Sequence, residues 1–372
     1  MSNHKPVVHF FNLDVLRAIA VIMVFIYHGH LAYKGWFYQQ SAEPDPSYQK
    51  YIDNFFENMN LGVDFFFLIS GFLITYLLLT EKENAGHISV GKFYVRRILR
   101  IWPLYFLIVI FAHLICKAAG EHDPHYLGTI FFVNNFETIR LGFMDYPFVH
   151  FWTLSIEEQY YLLWPLVLVL IPKEKLVYAI IALLATSLIY KIVLTAISEN
   201  PQLQLFYHSL SRGDTILVGA LLAWIHFRKP FVLRTHLLAR VAVHIALIAS
   251  LFIFIGVSYH SWYELIWARY IFVGGFAFLM LNYLFNPGAR FAFRKKNVLH
   301  YIGRISFGIY VFHNILLLFI VKQLGQRGWN NEIVFWLIYT GIVLLVSVLS
   351  YELLEKQILR LKDRFAVVAS SR

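Results

Sequence analysis

Apolar runs close to the length of a bilayer-crossing helix recur along the whole chain, separated by short polar breaks. They fall at about 13–31, 61–79, 102–119, 151–171, 176–197, 213–227, 238–257, 265–285, 305–322 and 332–354, each near the roughly 20 residues that span a hydrocarbon core. The pattern predicts an all-α, polytopic integral membrane protein of about ten transmembrane helices. It is expected to be one domain over 1–372, with no internal repeat, no low-complexity tract and no linker to a second domain. An even number of crossings puts both termini on one side. The first run carries Arg17 and His28 and lacks a small-x-small cleavage site, so it reads as a helix rather than a cleavable signal peptide.

Charge placement orients the chain. Lys5, then Lys82, Lys92, Arg96, Arg97 and Arg100, then Lys173 and Lys175, Arg228, Lys229, Arg234 and Arg240 fall at the N-terminus or after even-numbered runs. Arg290, Arg294, Lys295, Lys296, Arg304 and the tail residues Lys356, Arg360, Lys362, Arg364 and Arg372 continue the series. The opposite loops hold Lys34, Lys50, Arg140, Arg212 and Arg327. Lys and Arg gather on the cytoplasmic side of membrane proteins, so both termini are expected in the cytoplasm. The two long outer loops, about 32–60 and 120–150, are rich in Tyr, Phe, Asn and acids, among them Glu43, Asp45, Asp53, Glu57, Glu121, Asp123, Glu137 and Asp145.

Composition agrees with this reading. The chain is 59% hydrophobic and 15% charged, against roughly 25% charged in soluble domains. That excludes a disordered chain, a coiled coil and a disulfide scaffold. The net charge of +10 is accounted for by the cytoplasmic loops, with no nucleic-acid partner implied. The single cysteine, Cys116, permits no internal disulfide and no Cys-based metal site.

Ionisable residues inside the apolar runs are the candidate chemistry, because each costs roughly 2.5–3.5 kcal/mol on insertion scales unless it faces a cavity or a partner. Arg17 and His28 are 11 positions apart, about 16 Å along one helical stripe. That spacing puts a cation near the cytoplasmic side and a titratable base near the outer half; a snorkelling Arg and an interfacial His are the plain alternative. Arg96, Arg97 and Arg100 fall at i, i+1 and i+4, so two or three guanidiniums can converge on one anion, although such clusters also hold anionic lipid. Asp64 opens the second run, and Ser70-Gly71 reads as a small-residue packing point rather than a nucleophile. The fourth run opens His150-Phe151-Trp152-Thr153-Leu154-Ser155-Ile156-Glu157-Glu158. Glu157, Tyr161 and Trp164 share a face, and so do Ser306, Tyr310 and His313. Arg212 and Asp214 read as a compact charge pair at the outer surface. Glu355 sits at the cytoplasmic end, within reach of Arg17 or the Arg97–Arg100 group.

Taken in order, these motifs resemble the acyltransferase-3 family of membrane acyltransferases. The resemblance rests on Leu16–Val21 followed by His28, on Val63–Leu73, on Arg97, Arg100, Ile101 and Pro103, on Trp152–Tyr161 with Thr153 and Tyr160 as departures, and on Ser306, Tyr310 and His313. Each piece is weak alone; the ordered set is specific and covers nearly the whole chain. Gln357 stands where the family often has proline. Some members carry an added extracytoplasmic hydrolase-like domain, which is not expected here.

The resemblance implies transfer of an acyl group, usually acetyl, from cytoplasmic acyl-CoA to a hydroxyl of a cell-surface glycan or related acceptor, at the plasma membrane. Acyl-CoA, the hydroxyl acceptor and membrane lipid are then the partners. Acetyl-CoA is a donor substrate, with no permanently bound cofactor and no metal. A thioester needs no ATP; it needs a base for the acceptor and a donor for the oxyanion. His28 is expected as the base with Glu157 orienting it or charging against it, and Arg17 as the group holding the pantetheine–phosphate end or neutralising charge in the channel. Arg96, Arg97 and Arg100 would bind acyl-CoA, and Asp64, Tyr161, Tyr310 and His313 would line the acceptor or oxyanion side. A proton-coupled transporter or flippase of a glycan or acyl-linked substrate accommodates the same intramembrane charges, though the chain shows no inverted repeat; a lipid-binding scaffold leaves the two histidines unexplained.

Overall fold

The computed structural model describes residues 7–8, 10–37, 49–123, 126–142, 147–253, 264–288, 296–329, 331–365, 367 and 369–370. Lys5, Glu43, Asp45, Asp145, Arg290, Arg294, Lys295 and Arg372 lie outside the described residues.

Among the described residues, ten helices of 15 residues or more carry the architecture. They are α1 Leu13–Phe37, α2 Gly62–Ala85, α3 Val90–Ile110, α4 Trp152–Leu170 and α5 Leu176–Ile197. Then come α6 Asp214–Arg228, α7 Leu237–Ile253, α8 Arg269–Phe285, α9 Ser306–Gln326 and α10 Glu332–Ser350. Among the described residues, a helix underlies each apolar run predicted from sequence; residues 254–257 of the run at 238–257 lie outside those residues. Six spans are long and apolar enough to cross a membrane: Leu13–Gly35, Gln49–Ala85, Leu176–Ile197, Ile266–Phe285, Ser306–Gln326 and Glu332–Lys362. A seventh arises if α3 and Ala112–Ala119, bent by 53° at Phe111, are one span. The apolar stretch of the continuous helix α4 is broken by the polar side chains of Glu157, Glu158 and Gln159, while α6 and α7 have only 15 and 17 residues.

Local chemistry explains the boundaries. Asp14 lies in the first turn of α1 and Lys34 in its last, each complementing the helix dipole. Gly86, with φ of 75°, ends α2 in the left-handed region open to glycine. The helix α3 starts twelve residues before the predicted run, so Arg96, Arg97 and Arg100 are helical rather than loop residues.

Tight backbone crossings fix the bundle. A Cβ on Gly71 would overlap the Ile216 carbonyl, and one on Gly219 would overlap that of Leu68, so α2 and α6 pack backbone to backbone. The packing point read at Ser70-Gly71 therefore belongs to Gly71; Ser70 has another partner. Two apolar cores flank this crossing. At one end of the bundle, Val7–Val8 pairs in parallel with Ala369–Ser370, and Arg96 donates to the Phe365 carbonyl at 2.8 Å, so both ends of the chain meet there.

Candidate active site

Two cavities lie inside the bundle. The inner one, of about 90 Å³, is walled by Arg17 of α1, Ser70 of α2, Arg97 and Arg100 of α3, Glu157 and Tyr161 of α4 and Ser306 and Tyr310 of α9. The outer one, of about 370 Å³, is walled by His28, Asn60, His150, Trp152, Tyr207 and Asn314, with Glu121 among its other lining residues. Val63, Thr153 and Tyr310 line both, so the cavities meet at one partition.

In the inner cavity Ser70 Oγ donates to Glu157 Oε1 at 2.7 Å and lies 3.0 Å from the Tyr161 hydroxyl. The Arg97 guanidinium sits 5.5 Å over the Tyr161 ring, and its buried Nε has no hydrogen-bond partner. Arg17 donates to Asp14 at 3.2 Å. Arg17, Arg97 and Arg100 are close enough to repel one another electrostatically, with Glu157 the carboxylate in their midst. Three guanidiniums around one carboxylate leave formal positive charge in a confined space. Such a site is suited to an anion.

In the outer cavity the hydrogen bonds set the histidine tautomers. Carbonyls only accept, so His28 Nδ1, 3.0 Å from the Val24 carbonyl, carries the proton. The same argument puts a proton on His313 Nδ1, 2.6 Å from the Tyr310 carbonyl. That leaves His313 Nε2 to accept from His28 Nδ1 at 3.2 Å. His28 Nε2 therefore holds a lone pair, and it has no partner among the described residues: the arrangement of a base with its orienting group behind it. The His150 ring centroid lies 5.0 Å from that of His313. At the partition, the Tyr310 hydroxyl donates to the His150 carbonyl and is hydrogen-bonded to Thr153 Oγ1.

Several residues stand elsewhere than expected. Glu157 does not orient His28; the Val24 carbonyl and His313 do, while Glu157 bonds Ser70 in the inner cavity. Tyr161 also belongs to the inner cavity. Arg96 points away from Arg97 and pairs with the buried Glu81 at 3.1 Å. Tyr310 does line the outer cavity as expected, with its hydroxyl already engaged by the His150 carbonyl. Glu355 forms no ion pair with Arg17 or with the Arg97–Arg100 group; it accepts from Ser350 at 3.2 Å.

Asp64 lines neither cavity. It is fully buried and accepts from Arg212 at 3.1 Å, Arg269 at 2.9 Å and Thr215 at 3.1 Å. Asp214, equally buried, pairs with Arg269 and Lys191 and accepts from Tyr270 at 2.6 Å. Arg212 and Asp214 are thus interior residues of a charge cluster, not a surface pair, because each has its opposite charge on another helix. Lys191 and Arg269 passed unnoticed in the sequence, although a lone cation within an apolar run is itself the signal for a buried partner. Among the described residues no group of three or more His, Cys, Asp or Glu could hold a metal ion.

A bundle of apolar helices that encloses charged and imidazole-lined cavities defines a multi-pass membrane protein with internal chemistry. The chain belongs to the acyltransferase family whose model, described as "Acyltransferase domain", matches residues 10–352. It is 27% identical to O-acetyltransferase OatA of Staphylococcus aureus strain NCTC 8325 / PS 47, over 93% of this chain and 56% of that protein. It is 28% identical to a provisionally named O-acetyltransferase, SACOL0978 of strain COL, over 95% of this chain and 58% of that protein. The chain thus spans a little over half the length of these curated relatives. No solved structure matches.

Proposed function

We propose that the protein transfers an acetyl group from cytoplasmic acetyl-CoA to a hydroxyl of a cell-envelope glycan, within a plasma membrane crossed ten times and with both termini in the cytoplasm. The reading is carried by one observation: an arginine-lined cavity and an imidazole-lined cavity share the Thr153–Tyr310 partition. The donor's anionic end suits Arg17, Arg97 and Arg100, since guanidiniums bind phosphate in bidentate fashion. A confined volume of about 90 Å³ favours a short acyl group. The acceptor enters the outer cavity. Its hydroxyl oxygen bonds the thioester carbon at the partition and His28 Nε2 takes the proton. The carbon–sulfur bond then breaks, and the proton returns to the departing thiolate, giving the ester and free CoA. His313 positions His28, and Glu157, through Ser70 and Tyr161, fixes the arginine-lined wall. The meeting of the chain ends, with Arg96 and the α2 and α4 ends beside them, supports a common basic face.

Proteoliposomes supplied with [14C]acetyl-CoA outside basic-face-out vesicles and envelope glycan inside test this. Glycan-dependent release of CoA with label in the glycan is the expected result. Glycan movement without thioester cleavage would establish transport instead.

A further inference from the structure

On the acyl-transfer reading above, His28 serves as base, but a base alone does not hold an acceptor. Among the polar side chains of the outer cavity that are almost sealed from solvent are Asn60 at 6% and His150 at 2% exposure. Neither Nδ2 of Asn60 nor either ring nitrogen of His150 has a hydrogen-bond partner among the described residues. The carbonyls of Pro147, Tyr310 and Val311 approach the His150 ring closely enough to interact with it electrostatically, but neither ring nitrogen makes a hydrogen bond to them, and that of Pro147 already accepts from Asn314 at 3.2 Å. A buried polar group left unmade costs about 1–3 kcal/mol, and native proteins keep few of them. Packing alone gives no reason for two on the wall of the cavity that also holds His28.

The rest of the wall indicates what would satisfy them. Tyr27, Trp152, Phe206 and Tyr207 supply aromatic surface. Aromatic faces with a few placed hydrogen-bonding groups suit a ring that is apolar on its faces and polar at its edge. Among the described lining residues there is no Lys or Arg, and Glu121 is the one ionic group, so an anionic ring is disfavoured. We infer that Asn60 and His150 form the acceptor-recognition pair, hydrogen-bonding hydroxyls of an uncharged sugar ring seated on the aromatic wall and leaving one hydroxyl for His28.

The test uses proteoliposomes of the full chain, [14C]acetyl-CoA, and the neutral and acidic oligosaccharide fractions released from the envelope of cells that express the protein. Label is expected in the neutral fraction. Asn60→Ala and His150→Gln should each raise the KM for that fraction about tenfold, a loss of about 1.4 kcal/mol, while the KM for acetyl-CoA holds. Where either variant fails to fold, Asn60→Ser and His150→Asn replace it with the same expectation. An unchanged acceptor KM in folded variants of an active enzyme would overturn the pair while leaving acyl transfer intact. Preference for the acidic fraction would overturn the uncharged ring. A wild type that labels neither fraction and releases no CoA would overturn the acyl-transfer reading itself, and the pair with it.

Discussion

The bundle holds charge in two places, and they are built in opposite ways. Around Asp64 and Asp214, three cations (Lys191, Arg212 and Arg269) meet two carboxylates, with Thr215 and Tyr270 taking further lone pairs. Neither carboxylate reaches a cavity. In the inner cavity, Arg97 and Arg100 have no carboxylate partner among the described residues, Glu157 is bonded to a serine hydroxyl, and the space between them is open. A charge paired on all sides joins helices; a charge aimed into a hollow awaits a ligand. Burial and residue type do not separate the two cases, since both regions consist of Arg, Asp or Glu, and Tyr in an apolar bundle. Partnering separates them.

The sharpest break in the comparison is His28→Ala. Removing a positioned general base typically costs 10²–10⁴ in rate, and on the proposed reading acetyl transfer should fall by about that much. Thermal unfolding in detergent should stay near wild type, because among the described residues the hydrogen bonds of His28 reach one other helix, through His313, besides the Val24 carbonyl of its own. Retained turnover would remove His28 as the base.

Arg269→Ala tests the other region and should show the reverse. It leaves Asp64 and Asp214 buried with their bidentate partner gone. Breaking a buried pair costs about 3–5 kcal/mol. The expected outcome is a large fall in unfolding temperature and in monodisperse yield, while the folded fraction keeps its acetyl-CoA KM. A stable but inactive variant would place Arg269 in the chemistry.

A smaller effect is expected for Arg97→Ala combined with Arg100→Ala. Hydrogen bonds to charged groups contribute about 1.5–3 kcal/mol, so the KM for acetyl-CoA should rise at least about tenfold with the acceptor KM unchanged. These two guanidiniums lack ion-pair partners among the described residues, so the unfolding temperature should hold. Initial rates at varied donor and acceptor concentrations separate the two constants.

The apolar runs announced the helices because hydrophobic length is a property of the chain alone. Partnering is not. Asp64 at the head of α2 looked like an acceptor-side acid because nothing nearby in sequence marks Arg269, 205 positions on, as its partner. Arg96 and Arg97 are adjacent, yet the helix turns one toward Glu81 and the other into the cavity. That divergence follows from roughly 100° per residue once α3 is seen to begin at Val90 rather than after the arginines. Asn60 and His150 were passed over because a polar residue just before an apolar helix usually meets solvent; only the fold shows the cavity over them. His28 and His313 were legible as intramembrane histidines, but their contact at 3.2 Å, across 285 positions, was not.

The weakest perturbation asks whether every member of the sealed cluster is needed. Lys191 is the third cation opposite two carboxylates. Its partner Asp214 keeps Arg269, Tyr270 and the backbone amide of Thr215, which donates at 2.7 Å. Breaking a buried pair is costly when it leaves a charge uncompensated; without Lys191, Arg212 and Arg269 still match Asp64 and Asp214 one for one, and the desolvation cost of the third cation disappears. Lys191→Met should therefore shift stability by no more than about 1 kcal/mol, far less than the 3–5 kcal/mol expected for Arg269→Ala. Acetyl transfer should be unaffected, since Lys191 lines neither cavity. Equal losses of unfolding temperature in the two variants would show that the cluster acts as an all-or-none unit, whose stabilising role belongs to its full set of charges rather than to the Asp64–Arg269–Asp214 bridge.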